Sequence, residues 1–353
     1  MTRRNLMADE KRIVQLDGLR AIAVLMVFFS HAYRSQVLWT GVDLFFVLSG
    51  FLITCILRNH RKQLRLGDYL ASFYQRRVRR ILPPYLLFLG LVTLLFGVGW
   101  IHQWYLFLFF MNTAGFGELR NHYPVAILWS LAVEEQFYAV WPFAVYLLDE
   151  TALAWLAGGL VLAAPLLRWI ATAFFQRHWN IYSATPFRVD LLAAGALIGI
   201  AWRNHRTIIE ALGRYGLLIA GLAGAPLLLF SWYPWFQPSA ETVLVNVCVY
   251  ELSLIAYVGI LLWALSGRGA CILTLRPMVY IGRISYTFYL VHLTAITILR
   301  KYLPHHSGFL ALATSVAYAA LSWHLIERPI LIGTWQQLKP RKVELPAIDK
   351  ATD

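Results

Sequence analysis

The chain has 353 residues, 59% of them hydrophobic and 14% charged, with a mean hydropathy of +0.59. A soluble domain of that length needs far more polar surface, so the composition excludes an ordinary soluble enzyme and implies an all-α polytopic membrane protein. The formal net charge of +13 would suggest nucleic acid as partner of a soluble protein. In a membrane chain cations collect in cytoplasmic loops, so no nucleic acid is expected.

Arg3, Arg4, Lys11 and Arg12 precede the first apolar run and resemble the basic start of a signal peptide. The run lacks a small-residue cleavage site, so it is expected to remain as the first helix. Apolar runs long enough to span fall at 15–34, 38–58, 83–101, 125–148, 152–174, 187–202, 213–233, 243–266, 278–299 and 308–326. These predict about ten transmembrane helices, plus a short re-entrant or interfacial piece at Gln103 to Asn112. With ten spans and a cytoplasmic N-terminus, the inside segments hold 22 Lys or Arg and the outside segments 6. That asymmetry predicts a multi-pass membrane protein with both termini cytoplasmic. A single membrane domain over 1–330 and a short polar tail over 331–353 are expected to account for the chain. Cys55, Cys248 and Cys271 are scattered, which argues against a disulfide framework or a metal site.

Arg20 and His31 share the first run. Their spacing of eleven residues is about 20° of net helical rotation and about 16 Å of rise, so one face carries both at different depths. Ionisable groups in a span usually line a pathway or a site. Arg20 would also suit snorkelling to the cytoplasmic interface beside Asp17. His31 suits proton chemistry on a hydroxyl near neutral pH. Asp43, just inside the second span, could orient the His31 ring or simply cap its own helix.

In WSLAVEEQFYAVWP, helical spacing puts Ser130, Glu134, Tyr138 and Trp141 on one stripe, with Glu135 beside Leu131 and Ala139. Glu134 is therefore expected to face the interior. Residues Arg58 to Arg80 hold eight cations, ending in Arg76-Arg77-Val78-Arg79-Arg80 before Pro83-Pro84. Anionic lipid head groups explain scattered cations, but a run of arginines points to a phosphorylated cytoplasmic ligand. No GxxxxGK[ST] or GxGxxG motif is present, which excludes those nucleotide sites. In the ninth run Ser285, Tyr289 and His292 share a face, with His292 a secondary candidate; Glu327 and Arg328 read as a helix-end pair. Trp100, Trp104, Trp179, Tyr182, Trp232 and Trp235 read as an aromatic belt.

The segments LDGLRAIAVLMVFFSH, VDLFFVLSGFLI, RRVRRILPPY, WSLAVEEQFY and ISYTFYLVHL, in this order, resemble the membrane acyltransferase-3 family in its stand-alone form without an SGNH extension. The resemblance implies transfer of a short acyl group, acetyl above all, from cytoplasmic acyl-CoA to a hydroxyl of a surface glycan or lipid-linked saccharide. Some relatives acylate macrolides or other small molecules. The family's Arg–His pair falls on Arg20 and His31, its RxR element on Arg77 and Arg79, and its WSLxxE carboxylate on Glu134. The arginines at 76, 77, 79 and 80 would hold the CoA phosphates, and His31 would act as base or acyl carrier with Glu134 or Asp43 behind it. A proton-coupled transporter is the competing expectation, since intramembrane His, Glu and Arg suit it equally.

Overall fold

A computed structural model describes residues 13–61, 63–99, 107–112, 123–175, 178–236, 242–303 and 307–332. The basic start, Trp100, Trp104, Arg120, Arg177, the first part of the short piece at 103–112 and the tail beyond Ile332 lie outside the described residues.

Among the described residues there is no strand, and a helix accounts for most of each predicted apolar run. These are α1 (Val14–Tyr33), α2 (Gly41–His60), α3 (Leu66–Phe96), α4 (Leu128–Leu147) and α5 (Glu150–Ala171), then, after the short α6 (His178–Ser183), α7 (Val189–Asn204). The pair α8 (Arg206–Gly213) and α9 (Gly216–Phe230) follows, then α10 (Tyr250–Ser266) behind a π-type turn at Val245–Val249. The last are α11 (Arg276–Tyr302), α12 (Ser307–Ser322) and α13 (Arg328–Ile332), the final two joined by a π-type turn at Trp323–Glu327.

The chain is a multi-pass membrane protein: several of its helices are long and apolar enough to cross, and a helix satisfies its backbone internally in lipid. Six helices among the described residues are long and apolar enough to cross, or up to seven if α8 and α9, bent by 53°, form one broken span. This measure does not confirm the expected ten crossings. α7 has only 16 residues, and α4 and α11 carry the polar residues described below.

Backbone-to-backbone contact brings the central helices together. A Cβ on Gly282 of α11 would stand 1.9 Å from the Asp17 carbonyl oxygen of α1, and one on Gly50 of α2 would stand 1.9 Å from that of Leu192 in α7. Only glycine permits such approach, as at small-residue crossings in membranes generally. The crossing of α1 and α11 sets how far apart their polar faces can lie.

The arginine run is part of α3, which continues unbroken through Pro83 and Pro84. Proline removes N–H donors and frees carbonyls in the preceding turn. One residue beyond the carbonyls of Arg79 and Arg80 that the prolines leave without their helical donors, the Tyr286 hydroxyl donates to the Ile81 carbonyl at 3.2 Å. Of the short piece, Phe107–Asn112 is a turn packed on α3 and α4: Phe107 and Met111 are buried, and the Tyr85 hydroxyl donates to the Phe107 carbonyl at 2.8 Å.

Candidate active site

The N-terminal end of α1, the C-terminal ends of α2 and α7, the first half of α3 and the start of α11 meet at one end of the bundle. Between them is a cavity of about 990 Å³. Arg20, Arg76, Arg77, Arg79, Arg80, Arg206 and Arg283 line it, against one acidic residue, Asp17. Phe51, Phe73, Trp202 and Trp323 give it flat apolar walls. The four arginines expected at a phosphate site therefore gather in one place, and the fold adds two that local spacing does not reveal. Arg206 lies 126 residues or more beyond the α3 run; its guanidinium sits 4.7 Å from the centre of the Trp202 ring. Arg77 stacks on Tyr138, 4.6 Å from the ring centre.

Arg20, Leu52, Arg77 and Arg80 also wall a second space of about 80 Å³ that reaches deeper into the bundle. Glu134, Ser49, Ser130, Tyr138 and Tyr289 line it. The Ser49 hydroxyl donates to Glu134 Oε1 at 2.7 Å. Glu134 faces the interior as its stripe predicts, but so does Glu135, which lines the same space. The expected separation of the two carboxylates does not hold, because α3 and α11 close over the Glu135 side as well: Arg77, Ile81 and Tyr286 line that space too. Glu135 Oε1 is buried and makes no hydrogen bond among the described residues.

The shared face of α11 docks residue by residue onto this wall. Arg20 Nε donates to the Ser285 hydroxyl at 3.3 Å, the Tyr289 and Ser130 hydroxyls lie 2.6 Å apart, and His292 Nε2 lies 3.1 Å from His31 Nδ1. A polar track thus runs along α11 from the arginine cavity to His31 near the far end of α1. Arg20 lines both the cavity and its deeper extension. At the far end Arg300 donates to the carbonyls of His31 and Ala32, at 3.2 and 2.9 Å, satisfying acceptors left free where α1 stops.

Asp43 does not orient His31. Arg188 donates to one of its carboxylate oxygens and the Ser253 hydroxyl to the other, at 2.7 Å for the latter. Nor does it cap α2 with its side chain. It belongs to a buried ion network in which Arg168 binds Asp190 at 2.8 Å and Glu251 at 2.5 Å. Glu327 does not pair with Arg328. The π-type turn carries it inward, where Thr287 and Ser322 donate to it at 2.7 and 3.0 Å. Trp232 and Trp235 are exposed as an aromatic belt requires, whereas Tyr182 packs against Trp129 with ring centres 4.6 Å apart.

The chain is similar in sequence to known proteins. The chain is 27% identical to the peptidoglycan O-acetyltransferase OatA of Listeria monocytogenes over 91% of its length, and 25% identical to the O-acetyltransferase OatA of Staphylococcus aureus over 89%. It spans 56% of the length of each of these relatives. No solved structure matches it. Residues 13–326, which contain every residue of the cavity except Leu331 and all of the polar track, match the acyltransferase domain that defines the acyltransferase-3 family, and the chain belongs to that family.

Proposed function

We propose that the chain transfers a short acyl group, acetyl above all, from cytoplasmic acyl-CoA to a hydroxyl of a cell-surface saccharide. The observation that carries this is the arginine cavity and its narrow continuation toward His31. Seven arginines against one aspartate suit the phosphates of CoA, and arginine binds such groups through paired, charge-assisted hydrogen bonds. The aromatic walls suit the adenine ring. The thioester lies deeper, along the polar track.

His31 takes the proton of the acceptor hydroxyl; the oxygen attacks the thioester carbonyl carbon, the C–S bond breaks, and the thiolate recovers the proton from His31. Transfer through an acyl-histidine would use the same groups in two steps. Glu134, held by Ser49, holds the cationic side of the track in place. The arginine end faces the cytoplasm and the His31 end faces the acceptor, in keeping with the excess of cations on the arginine side. Two relatives named as O-acetyltransferases, one of them acting on peptidoglycan, support a glycan acceptor.

The test is release of free thiol from acetyl-CoA by the purified protein in nanodiscs, with and without glycan fragments bearing free hydroxyls. Acceptor-dependent thiol release, with an ester on the glycan by mass spectrometry, is the expected result. Substrate uptake into vesicles without thiol release would favour the transporter reading and overturn this one.

A further inference from the structure

Among the described residues no carboxylate stands behind the proposed base. Glu134 is held by Ser49, and Asp43 by Arg188 and Ser253. The side chain that faces His31 is His292: its Nε2 lies 3.1 Å from His31 Nδ1, with ring centres 5.2 Å apart. His292 is fully buried, stacked at 9° on Phe288 and packed against Phe28, so its ring has little freedom to turn.

The hydrogen positions follow from the acceptors. His292 Nδ1 lies 2.6 Å from the Tyr289 carbonyl oxygen. A carbonyl only accepts, so Nδ1 carries the hydrogen and, in the neutral ring, Nε2 carries the lone pair. His31 Nδ1 lies 3.0 Å from the Val27 carbonyl oxygen, so it too carries a hydrogen, shared between Val27 and His292 Nε2. The Val27 carbonyl already accepts the backbone N–H of His31 in the helical ladder. His292 Nε2 has no other donor among the described residues. His31 Nε2 is left as a lone pair to which nothing donates among the described residues.

We propose that His292 is the positioning residue of His31, taking the place a carboxylate holds in hydroxyl-activating triads. With the Val27 carbonyl it accepts from His31 Nδ1–H, and so reinforces the tautomer in which His31 Nε2 is the base. When Nε2 takes the hydroxyl proton, the His31 Nδ1–H becomes part of a cation and its hydrogen bond to His292 Nε2 strengthens. The role resembles that of the triad aspartate without its charge. It rests on His31 being the base proposed above.

The experiment compares His292→Phe, which fills the space without an acceptor, with His292→Gln, whose carbonyl oxygen can accept in place of Nε2. Both are measured in nanodiscs for kcat, for KM with acetyl-CoA, and by imidazole 15N NMR with a His31→Gln variant to identify the His31 signals. His292→Phe is expected to lower kcat on the order of 10²-fold with KM unchanged, and to shift the His31 nitrogens toward a mixture of tautomers. His292→Gln is expected to recover at least tenfold of that loss. The proposal is overturned if His292→Phe keeps a third of wild-type kcat, or if His292→Gln is as slow as His292→Phe while the His31 signals stay unchanged. Normal turnover by His31→Gln would defeat the base assignment instead. The nitrogen spectrum still decides the positioning role on its own, since unchanged His31 signals in His292→Phe overturn it.

Discussion

Asp43 and Arg188, 145 residues apart in sequence, form an ion pair in which neither side chain has any exposed surface. Arg188 also stacks on Tyr250, 4.6 Å from the ring centre. Removing one partner of a buried pair strands the other charge, at a cost of about 3–5 kcal/mol. Asp43→Asn should therefore lower the thermal midpoint of the detergent-solubilised protein sharply, while turnover per folded molecule stays within about threefold. A variant that keeps its stability and loses its turnover would return Asp43 to the chemistry.

His31→Ala should leave insertion and folding intact, because the ring is only partly buried and its partners are a backbone carbonyl and a neutral imidazole. Acyl transfer should fall on the order of 10²–10⁴-fold, the contribution of a well-placed general base, or further if the ring carries the acyl group. More than about a tenth of wild-type turnover in correctly folded protein would sink the assignment.

Arg77→Ala together with Arg79→Ala should weaken acetyl-CoA binding, each lost charge-assisted contact costing ~1.5–3 kcal/mol. Arg77 also packs on Tyr138, so the double variant loses some packing as well. Arg283→Ala, at an exposed residue of the same cavity wall, isolates the charge. Titration with acetyl-CoA at two salt concentrations checks both. Unchanged affinity would reduce the cluster to a topological signal.

Glu134→Gln and Glu135→Gln conserve size, remove the charge and turn one acceptor oxygen into an NH2 donor. Glu134 holds Ser49 at 2.7 Å beside Arg20 and Arg77, so its variant should lose turnover. Glu135 Oε1 is buried without a hydrogen bond among the described residues, an arrangement that costs stability when charged. Its variant should be at least as heat-stable as the wild type and retain most of its activity. The reverse ranking in paired kinetic and melting measurements would move the site to Glu135.

Gly282→Ala should separate α11 from α1, since the added carbon would lie 1.9 Å from the Asp17 carbonyl oxygen. Overpacking of this kind costs about 1–3 kcal/mol. It should also lower turnover, because the Arg20–Ser285 and His31–His292 contacts bridge the same two helices. Gly221→Ala, where the added carbon meets nothing within 4 Å, is the control and should be neutral or slightly stabilising. Equal behaviour of the two variants would show that the α1–α11 crossing tolerates more space than the glycine implies.

The helices and their polar faces were legible in the residues alone. Apolar runs must become helices in lipid, and a period of 3.6 residues puts Arg20 with His31, Ser130 with Glu134, and Ser285 with Tyr289 and His292. These are local rules that need no knowledge of neighbours. The number of crossings was less legible, since α4, α7 and α11 are too short or too polar for a length-and-apolarity measure to register.

What only the tertiary structure decided is which interior polar group meets which. Asp43 and Glu134 look alike as candidates behind His31, yet one is claimed by Arg188 and the other by Ser49. Glu327 beside Arg328 in sequence suggests a pair, yet its partners are Thr287 and Ser322. Arg206 and Arg283 join the α3 arginines only because α7, α8 and α11 end or begin around one cavity. A buried polar side chain must find a partner, and periodicity says only which way it faces. Its partner is set by how closely helices cross, which backbone contacts such as Gly282 on Asp17 fix across hundreds of residues.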